Sequence, residues 1–179
     1  EHYERLRNIE KLVDSGSRLT AQLLGYARKG RYEVRLINLN QTVQGACETF
    51  SRTRKDIRIR MDLEQTLAPI EADAGQVEQV LMNLLVNAAD AMRAGGTVTI
   101  RTANTTHEQM KGKLYNPKPG KYVLLSVSDT GFGMDAKTQD RIFEPFFTTK
   151  EMGRGTGLGL ASTYGIIKGH GGFIDVESQ

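Results

Sequence analysis

Between Gln76 and Met92, Gln76, Gln79, Asn83, Asn87 and Asp90 form a polar series in a run whose other residues, Glu78 apart, are apolar. At about 100° per residue in a helix they fall within about 40° of one line. Asparagine is a poor helix former, and a buried amide without partners is costly. A solvated face is one reading, but such a face normally carries Lys and Glu. An amide-rich stripe fits a helix side that lines a polar cavity, where amide oxygens can serve as ligands for a hard, partly hydrated Mg²⁺.

Two glycine-rich strings could complete such a cavity. Asp129-Thr130-Gly131-Phe132-Gly133-Met134 follows an apolar, strand-like run. Its glycines let the backbone approach a ligand closely, and a carboxylate at a strand end can accept a hydrogen bond from an exocyclic amine such as adenine offers. Taken alone it reads first as an ordinary Asp-Gly turn. Further on, Phe143-Glu144-Pro145-Phe146-Phe147-Thr148-Thr149-Lys150 leads to Gly153-Arg154-Gly155-Thr156-Gly157-Leu158-Gly159-Leu160. Alternating glycines before a helix present backbone N–H groups and a positive helix end to phosphates, and Lys150 and Arg154 add charge. The string is not a P-loop, since no G-x-x-x-x-G-K-[ST] occurs. Nor does it open an early βαβ unit, which sets aside a Rossmann site.

The elements that must hold these residues follow from periodicity. Leu6, Ile9, Leu12, Val13, Leu19, Leu23 and Tyr26 recur at spacings of three and four, which predicts an amphipathic helix from Glu1 to about Lys29, interrupted at Gly16 and ended at Gly30. Such a helix either packs on its own domain or forms half of a helical hairpin that pairs into a dimeric bundle. Val34 to Leu39 reads as a strand, and Asn40 as the N-cap of a helix over Gln41 to Arg52. Ile57, Ile59 and Met61 alternate with Arg58, Arg60 and Asp62, a half-buried strand; Pro69 to Glu71 could add a short one. Asp73 should cap the long amide-striped helix, which should end at Gly95-Gly96. Thr97 to Thr102 and Tyr122 to Ser128 read as strands joined by a polar loop containing Pro117, Pro119 and Gly120. A helix is expected over Leu160 to about Lys168, and a last strand over Phe173 to Val176. Without regular βαβ alternation the class is α+β.

Composition narrows the setting. The 179 residues suit one domain and one extra element, and the net charge of +3 is scattered, without the basic block of a nucleic-acid arm. Cys47 is the one cysteine, so no internal disulfide is possible, and its apolar surroundings suggest that it packs. No run is long and apolar enough to span a bilayer, and no signal peptide opens the chain. The expected setting is reducing, aqueous and cytoplasmic, with no nucleic-acid or membrane contact by this piece. The sequence begins and ends abruptly, as a piece excised from a longer protein does, and that parent could be membrane-anchored.

The strings together resemble those of a known family. Asn83-Leu84-Leu85-Val86-Asn87-Ala88 resembles the N box of sensor histidine kinases, and Asp129 to Met134 their first glycine box. Phe143 to Lys150 resembles the F box, and Gly155-Thr156-Gly157-Leu158-Gly159-Leu160 the second glycine box. All four stand in the family's order and spacing. The resemblance covers roughly Asn40 to Gln179, is closest in flavour to nitrogen-sensor or PAS-linked hybrid kinases, and extends to Leu19–Arg28, which resembles the second dimerisation helix. It implies a two-layer α/β sandwich, a mixed sheet faced by three helices, shared with gyrase, the heat-shock chaperone ATPase and the mismatch-repair ATPase. Residues 1–30 would be the second helix of a dimerisation hairpin, and 31–179 the ATP-binding catalytic domain, lacking its final strand.

By the same resemblance, the cofactors are ATP and Mg²⁺. Asn87 would coordinate Mg²⁺ and Asn83 would support it or contact phosphate. Asp129 would take the adenine amino group, and Gly131 and Gly133 would let the base lie against the backbone. Asp90, Met134, Phe147 and Thr148 would line the nucleotide site, and Lys150 would reach phosphate. Gly153 to Gly159 would close as a mobile lid that brings Gly155, Thr156, Gly157, Leu158 and Gly159 to the nucleotide, with the backbone amides of Thr156 to Gly159 on the phosphates. Asn83, Asn87 and Lys150 are thus the expected catalytic group. Partners would be the protein's own dimerisation hairpin, a homodimer partner and a response-regulator receiver domain.

One residue separates kinase from hydrolase. The superfamily's ATP hydrolases carry a Glu four residues before the metal-binding Asn, as base for water; here that position is Asn83, which takes no proton at neutral pH. A histidine kinase needs no such base, since the imidazole itself attacks the γ-phosphate. No acceptor motif accompanies it: the family's His-Glu is absent, and His2, His107 and His170 are expected to be structural or solvated. The rival readings are a superfamily ATPase, a degenerate module kept for dimerisation or partner contact, and an anti-sigma-type serine kinase.

Overall fold

The computed structural model describes residues 33–110, 117–150 and 155–178. The helix expected over residues 1–29, and the domain division that rests on it, lie outside the described residues, as do His2, Gly153 and Arg154. Within the described residues the element order is β1 (Arg35–Ile37), α1 (Leu39–Thr53), β2 (Ile57–Leu63), β3 (Ile70–Ala72), α2 (Ala74–Ala91), β4 (Gly96–Thr106), β5 (Lys121–Asp129), α3 (Ala136–Arg141) and α4 (Gly159–Gly169).

The expected mixed sheet forms with the order β2-β4-β5. β2 runs parallel to β4, from Ile57 beside Gly96 to Leu63 beside Thr102. β5 runs antiparallel to β4, from Val98 beside Asp129 to Thr106 beside Lys121. β1 and β3 make a separate antiparallel pair. Alternation assigns the faces: Ile57, Val98 and Ile100 are buried, whereas Arg58 and Arg101 are exposed. Against the buried face lie Val43, Ala46, Cys47 and Phe50 of α1 and Val77, Leu81, Leu85, Ala88 and Ala89 of α2. Leu81 and Leu85 are fully buried, and truncating either to Ala should cost about 2–5 kcal/mol. α2 packs between α1 and α4, so its apolar stripe meets the sheet while its amide stripe turns toward α4. Cys47 is free and buried, and burial pushes its thiol pKa up, in keeping with the packing role expected of it.

Some boundaries differ from expectation for local reasons. The N-cap of α1 is Asn38, not Asn40: the Asn38 side chain accepts from the Asn40 N–H at 3.0 Å. Asn40 works inside the fold instead, donating to the Glu64 carbonyl at 2.8 Å and accepting from Thr102 Oγ1 at 2.9 Å. Asp73 does cap α2, accepting from the Gln76 N–H at 3.0 Å. That helix stops at Ala91 with Met92 as C-cap, short of the Gly95-Gly96 expected. Gly95 forms the next turn, at φ +85°, with its N–H on the Met92 carbonyl at 2.9 Å. The strand expected over Phe173–Val176 does not form. Asp175 Oδ1 accepts the Val176 N–H at 3.1 Å, a local bond that competes with a sheet ladder, while Phe173 packs its ring 6.1 Å from that of Tyr122 on β5. The short helix α3 is an addition, capped by Asp135, whose side chain accepts from the Thr138 N–H at 2.8 Å.

Candidate nucleotide site at the C-terminal half of α2

The stripe Gln79, Asn83, Asn87 and Asp90 runs along one side of α2, and everything else in the site is placed against it. Gln79 Nε2 donates to Ser162 Oγ at 3.3 Å, and Asn83 Nδ2 to the Gly159 carbonyl at 3.1 Å. Thr163, fully buried, donates to the same carbonyl at 3.0 Å and stands 3.5 Å from Asn83 Nδ2. The amide stripe is therefore not a solvated face. Its first half bonds to α4, and the N-terminus of α4 is delivered beside Asn83 and Asn87. A side-chain carbon added at Gly159 would lie 3.8 Å from Asn83 and 3.9 Å from Asn87 Nδ2, open enough that the glycine answers to no clash.

Past Asn83 the stripe meets a cation. Lys150 Nζ donates to Asn87 Oδ1 at 3.1 Å and pairs with Asp90 Oδ2 at 2.6 Å. Both side chains of the ion pair keep about a third or more of their surface in solvent (32% and 40%), so the pair contributes at most about 1 kcal/mol to stability. Its meaning is positional: it carries the end of the Phe143–Lys150 segment onto α2.

Asp129 ends β5 opposite Val98, next to the end of α2. Its Oδ1 accepts the Gly131 N–H at 2.8 Å, and Phe132 N–H donates to the Ala91 carbonyl at 3.3 Å. Thr130 Oγ1 accepts the Thr97 N–H at 3.2 Å. Gly131 is obligatory here, since a side-chain carbon would stand 2.6 Å from Ala91 Cβ and 3.0 Å from its carbonyl oxygen. Gly133 holds φ +70°, which favours glycine. Met134 follows, with its N–H on Ser178 Oγ at 2.8 Å and its carbonyl accepting from Gln139 Nε2 at 2.9 Å.

The second glycine string leans on the Phe143–Lys150 segment. Phe146 N–H donates to the Gly157 carbonyl at 3.0 Å. Gly157 lies at φ +65°, and a side-chain carbon there would fall on the Phe146 carbonyl; one on Gly155 would stand 2.5 Å from Thr148 Oγ1. Thr148 Oγ1 also accepts the Lys150 N–H at 3.2 Å, and Leu158 N–H reaches Thr156 Oγ1 at 3.4 Å. Leu158 is buried. Phe147 stands apart from Asn83 and Asn87 in its contacts: its ring lies under the Arg141 guanidinium, 4.3 Å away.

Four strings far apart in sequence thus meet along Asn83 to Ala91. Sequence reasoning did not single out Ala91, whose carbonyl receives the first glycine turn, nor Ser162 and Thr163, which hold the stripe. The spacing of Ser162 and Thr163 after a glycine-led helix start was the available signal. Among the described residues, no three His, Cys, Asp or Glu side chains cluster as metal ligands.

Comparison with known proteins shows the family and the fold. The sensor kinase CckA of Brucella abortus is 42% identical over 176 residues, which is 97% of this chain and 19% of that protein. The signal transduction histidine-protein kinase AtoS of Escherichia coli is 34% identical over 179 residues, 99% of this chain and 27% of that protein. The chain therefore spans about a fifth to a quarter of the length of these relatives. Among solved structures, the catalytic domain of the histidine kinase ThkA superposes with a TM-score of 0.61 at 28% identity, covering 77% of this chain and 82% of that one. Full-length ShkA in complex with AMPPNP gives 0.61 at 25% identity, covering 92% of this chain and 34% of that one. Residues 72–179, more than half of the chain, match the family described as histidine kinase-, DNA gyrase B- and HSP90-like ATPase, and the protein belongs to that family, on the branch of the sensor histidine kinases.

Proposed function

We propose that this chain is the catalytic unit of a sensor histidine kinase, which binds Mg–ATP against α2 and presents its γ-phosphate to a histidine outside the described residues. The observation that carries the reading is the meeting of Asn83, Asn87, Asp90, Lys150 and the α4 N-terminus at one end of a single helix. ShkA, a relative in fold and sequence, holds an ATP analogue.

The donor set fits a hard cation. Asn87 Oδ1 and Asp90 Oδ2 already share one positive charge, the Lys150 ammonium, and oxygen donors of this kind suit Mg²⁺ together with phosphates and water. Asn87 would hold the metal. When bound, it would neutralise charge on the triphosphate. Lys150 would bind phosphate oxygens as a point charge, and the N–H groups from Thr156 to Gly159, with the positive end of α4, would orient the phosphates. Asp129 would accept from the adenine amino group, and Gly131 would let the base approach the end of α2. Asp129 already accepts the Gly131 N–H, which fixes its carboxylate in place.

Phosphoryl transfer fits better than hydrolysis. The position where a hydrolase keeps its base is Asn83, whose amide takes no proton and whose Nδ2 is occupied by the Gly159 carbonyl. The histidine nucleophile would supply its own lone pair, leaving positioning and charge neutralisation to this domain. Residues 1–30 as one helix of a dimerisation hairpin, a homodimer partner and a response-regulator receiver domain complete the proposal.

The test is nucleotide titration. Mg–AMPPNP should raise the melting temperature of the wild-type chain, and Asn87→Ala should abolish the Mg²⁺-dependent part of the affinity. Unchanged affinity in that variant overturns the assignment. Incubation with ATP should phosphorylate a separately supplied hairpin bearing the acceptor histidine, whereas steady-state phosphate release with no acceptor present would favour the ATPase instead.

A further inference from the structure

We infer that His170 is a positioning residue that sets the sliding register of α4 against α2, and so places the α4 N-terminus at the nucleotide site; the functional part of this rests on the reading above. His170 caps α4 at its C-terminal end. Its Nε2 stands 3.0 Å from the backbone N of Asp73, the N-cap of α2. A backbone N–H can only donate, so Nε2 accepts. The ring proton therefore sits on Nδ1, which donates to the Ile166 carbonyl at 2.8 Å. Both ring nitrogens are used, and the imidazole ties the last turn of one helix to the first residue of the other. The Asp73 carboxylate is held as well, accepting from the Gln76 N–H at 3.0 Å and the Glu33 N–H at 3.1 Å.

This bond belongs to a series. His170 meets Asp73, Ser162 meets Gln79, and Gly159 meets Asn83. Each step forward on α2 matches a step back on α4, which is the signature of two antiparallel helices in one fixed register. From Asp73 to Asn83 is ten residues, and from Gly159 to His170 eleven, about 15–16 Å of helix. The middle and near bonds are side-chain amides at 3.3 and 3.1 Å. The far one is made by a ring on a capping residue to a backbone group that cannot move without moving the α2 cap. A slide by one residue would carry the α4 N-terminus about 1.5 Å along Asn83 and Asn87, and misplacements of about 1 Å in such a site cost on the order of 100-fold in function.

The test separates the two nitrogens. In His170→Asn the side-chain amide N overlays Nδ1 and keeps the Ile166 bond but cannot reach Asp73. In His170→Gln the amide O overlays Nε2 and can accept from the Asp73 N–H. Two readouts are taken on the isotope-labelled chain: the backbone amide shifts of Gly159 and Thr163, and the Kd for Mg–AMPPNP. H170N should move both amides and weaken nucleotide binding roughly three- to tenfold, the loss of one such hydrogen bond; H170Q should restore both. If H170N does not fold, Gln79→Ala removes the middle bond and should move the Gly159 amide in the same way. Unmoved Gly159 and Thr163 amides in a folded variant, or equal behaviour of H170N and H170Q, overturn the inference even if the wild type binds nucleotide. Amides that move in H170N and recover in H170Q, in a wild type that binds no AMPPNP, would keep the register role and reject the nucleotide reading.

Discussion

The two glycine-rich segments that flank the second half of α2 do different work by different means. The turn from Asp129 to Met134 is fastened to the main body of the domain. Its N–H groups and hydroxyl engage Asp129, Ala91 and Thr97, and Gly131 rests directly on Ala91. The string from Gly155 to Gly159 is fastened at its far end by Leu158 and Gly159, while its middle rests, among the described residues, on the Phe143–Lys150 segment. Gly157 packs on Phe146, and Phe146 itself holds φ +68° and exposes 67% of its surface. A phenylalanine in the left-handed region costs of order 1–3 kcal/mol. One segment is an extension of the core; the other is a strained clasp between two loops, reaching α2 through Lys150. A rigid pocket suits a planar base, and a clasp suits a group that must enter and leave.

The sharpest way to break that contrast is to add one methyl group to each. Gly131→Ala should lower global stability by about 1–3 kcal/mol, because the new carbon meets backbone and Cβ of a helix that cannot yield. Nucleotide binding should be lost with it. Gly157→Ala faces as severe a collision with Phe146 and a φ of +65°, yet its cost should fall on the clasp. Nucleotide affinity should drop roughly tenfold, the equivalent of the ~1–2 kcal/mol left-handed penalty, while chemical denaturation shifts by less than about 0.5 kcal/mol. Equal losses of global stability in both variants would show that the clasp is part of the core after all.

Lys150→Met sharpens the comparison by cutting the clasp from α2. The pair with Asp90 is exposed enough to add little stability, so the melting temperature should hardly move. Affinity for Mg–AMPPNP should fall by roughly tenfold or more, since a charge-assisted contact to phosphate is worth about 1.5–3 kcal/mol. A variant that binds as tightly as wild type would remove Lys150 from the site and leave it a surface ion pair.

The same contrast governs how much the sequence disclosed. The core was legible, because the alternation in β2 and the three-four spacing of the polar stripe on α2 are direct consequences of one buried face. The candidate site was legible only as four strings taken together, by their order and spacing, because each alone has an ordinary reading, the Asp129 string as an Asp-Gly turn. What escaped was settled by tertiary competition. Asn38 and Asn40 are chemically equal candidates for the α1 cap, and only the partners of Asn40, Glu64 and Thr102, decide between them. Phe173–Val176 has strand composition, but Asp175 takes the Val176 N–H. Ala136–Arg141 carries no apolar period, and Asp135 before it was the one cue. His170 was expected to be structural or solvated, but nothing local announces which structural partner it takes, the Asp73 N–H 97 positions away.

The smallest effect expected lies at the opposite end of α2 from both glycine segments. The Asp73 carboxyl is held below its ordinary range, chiefly by the Gln76 N–H, then by the Glu33 and Gly75 N–H groups and nearby His170, with partial burial opposing. A depressed folded-state pKa means that Asp73 contributes stability above its unfolded value, near pH 4, and loses it as pH falls through the lower folded value. Asp73→Asn keeps a good N-cap but cannot titrate. The variant should therefore be slightly less stable at neutral pH and should lose less on acidification below about pH 4, as read by urea denaturation at several pH values. Asp56, Glu64 and Asp135 have depressed pKa values too, so the acid limb should flatten rather than vanish. An acid limb unchanged by the substitution would mean that the Asp73 cap acts through geometry alone. Nucleotide affinity should stay near wild type, because the backbone N–H of residue 73, not its carboxylate, is what His170 grips.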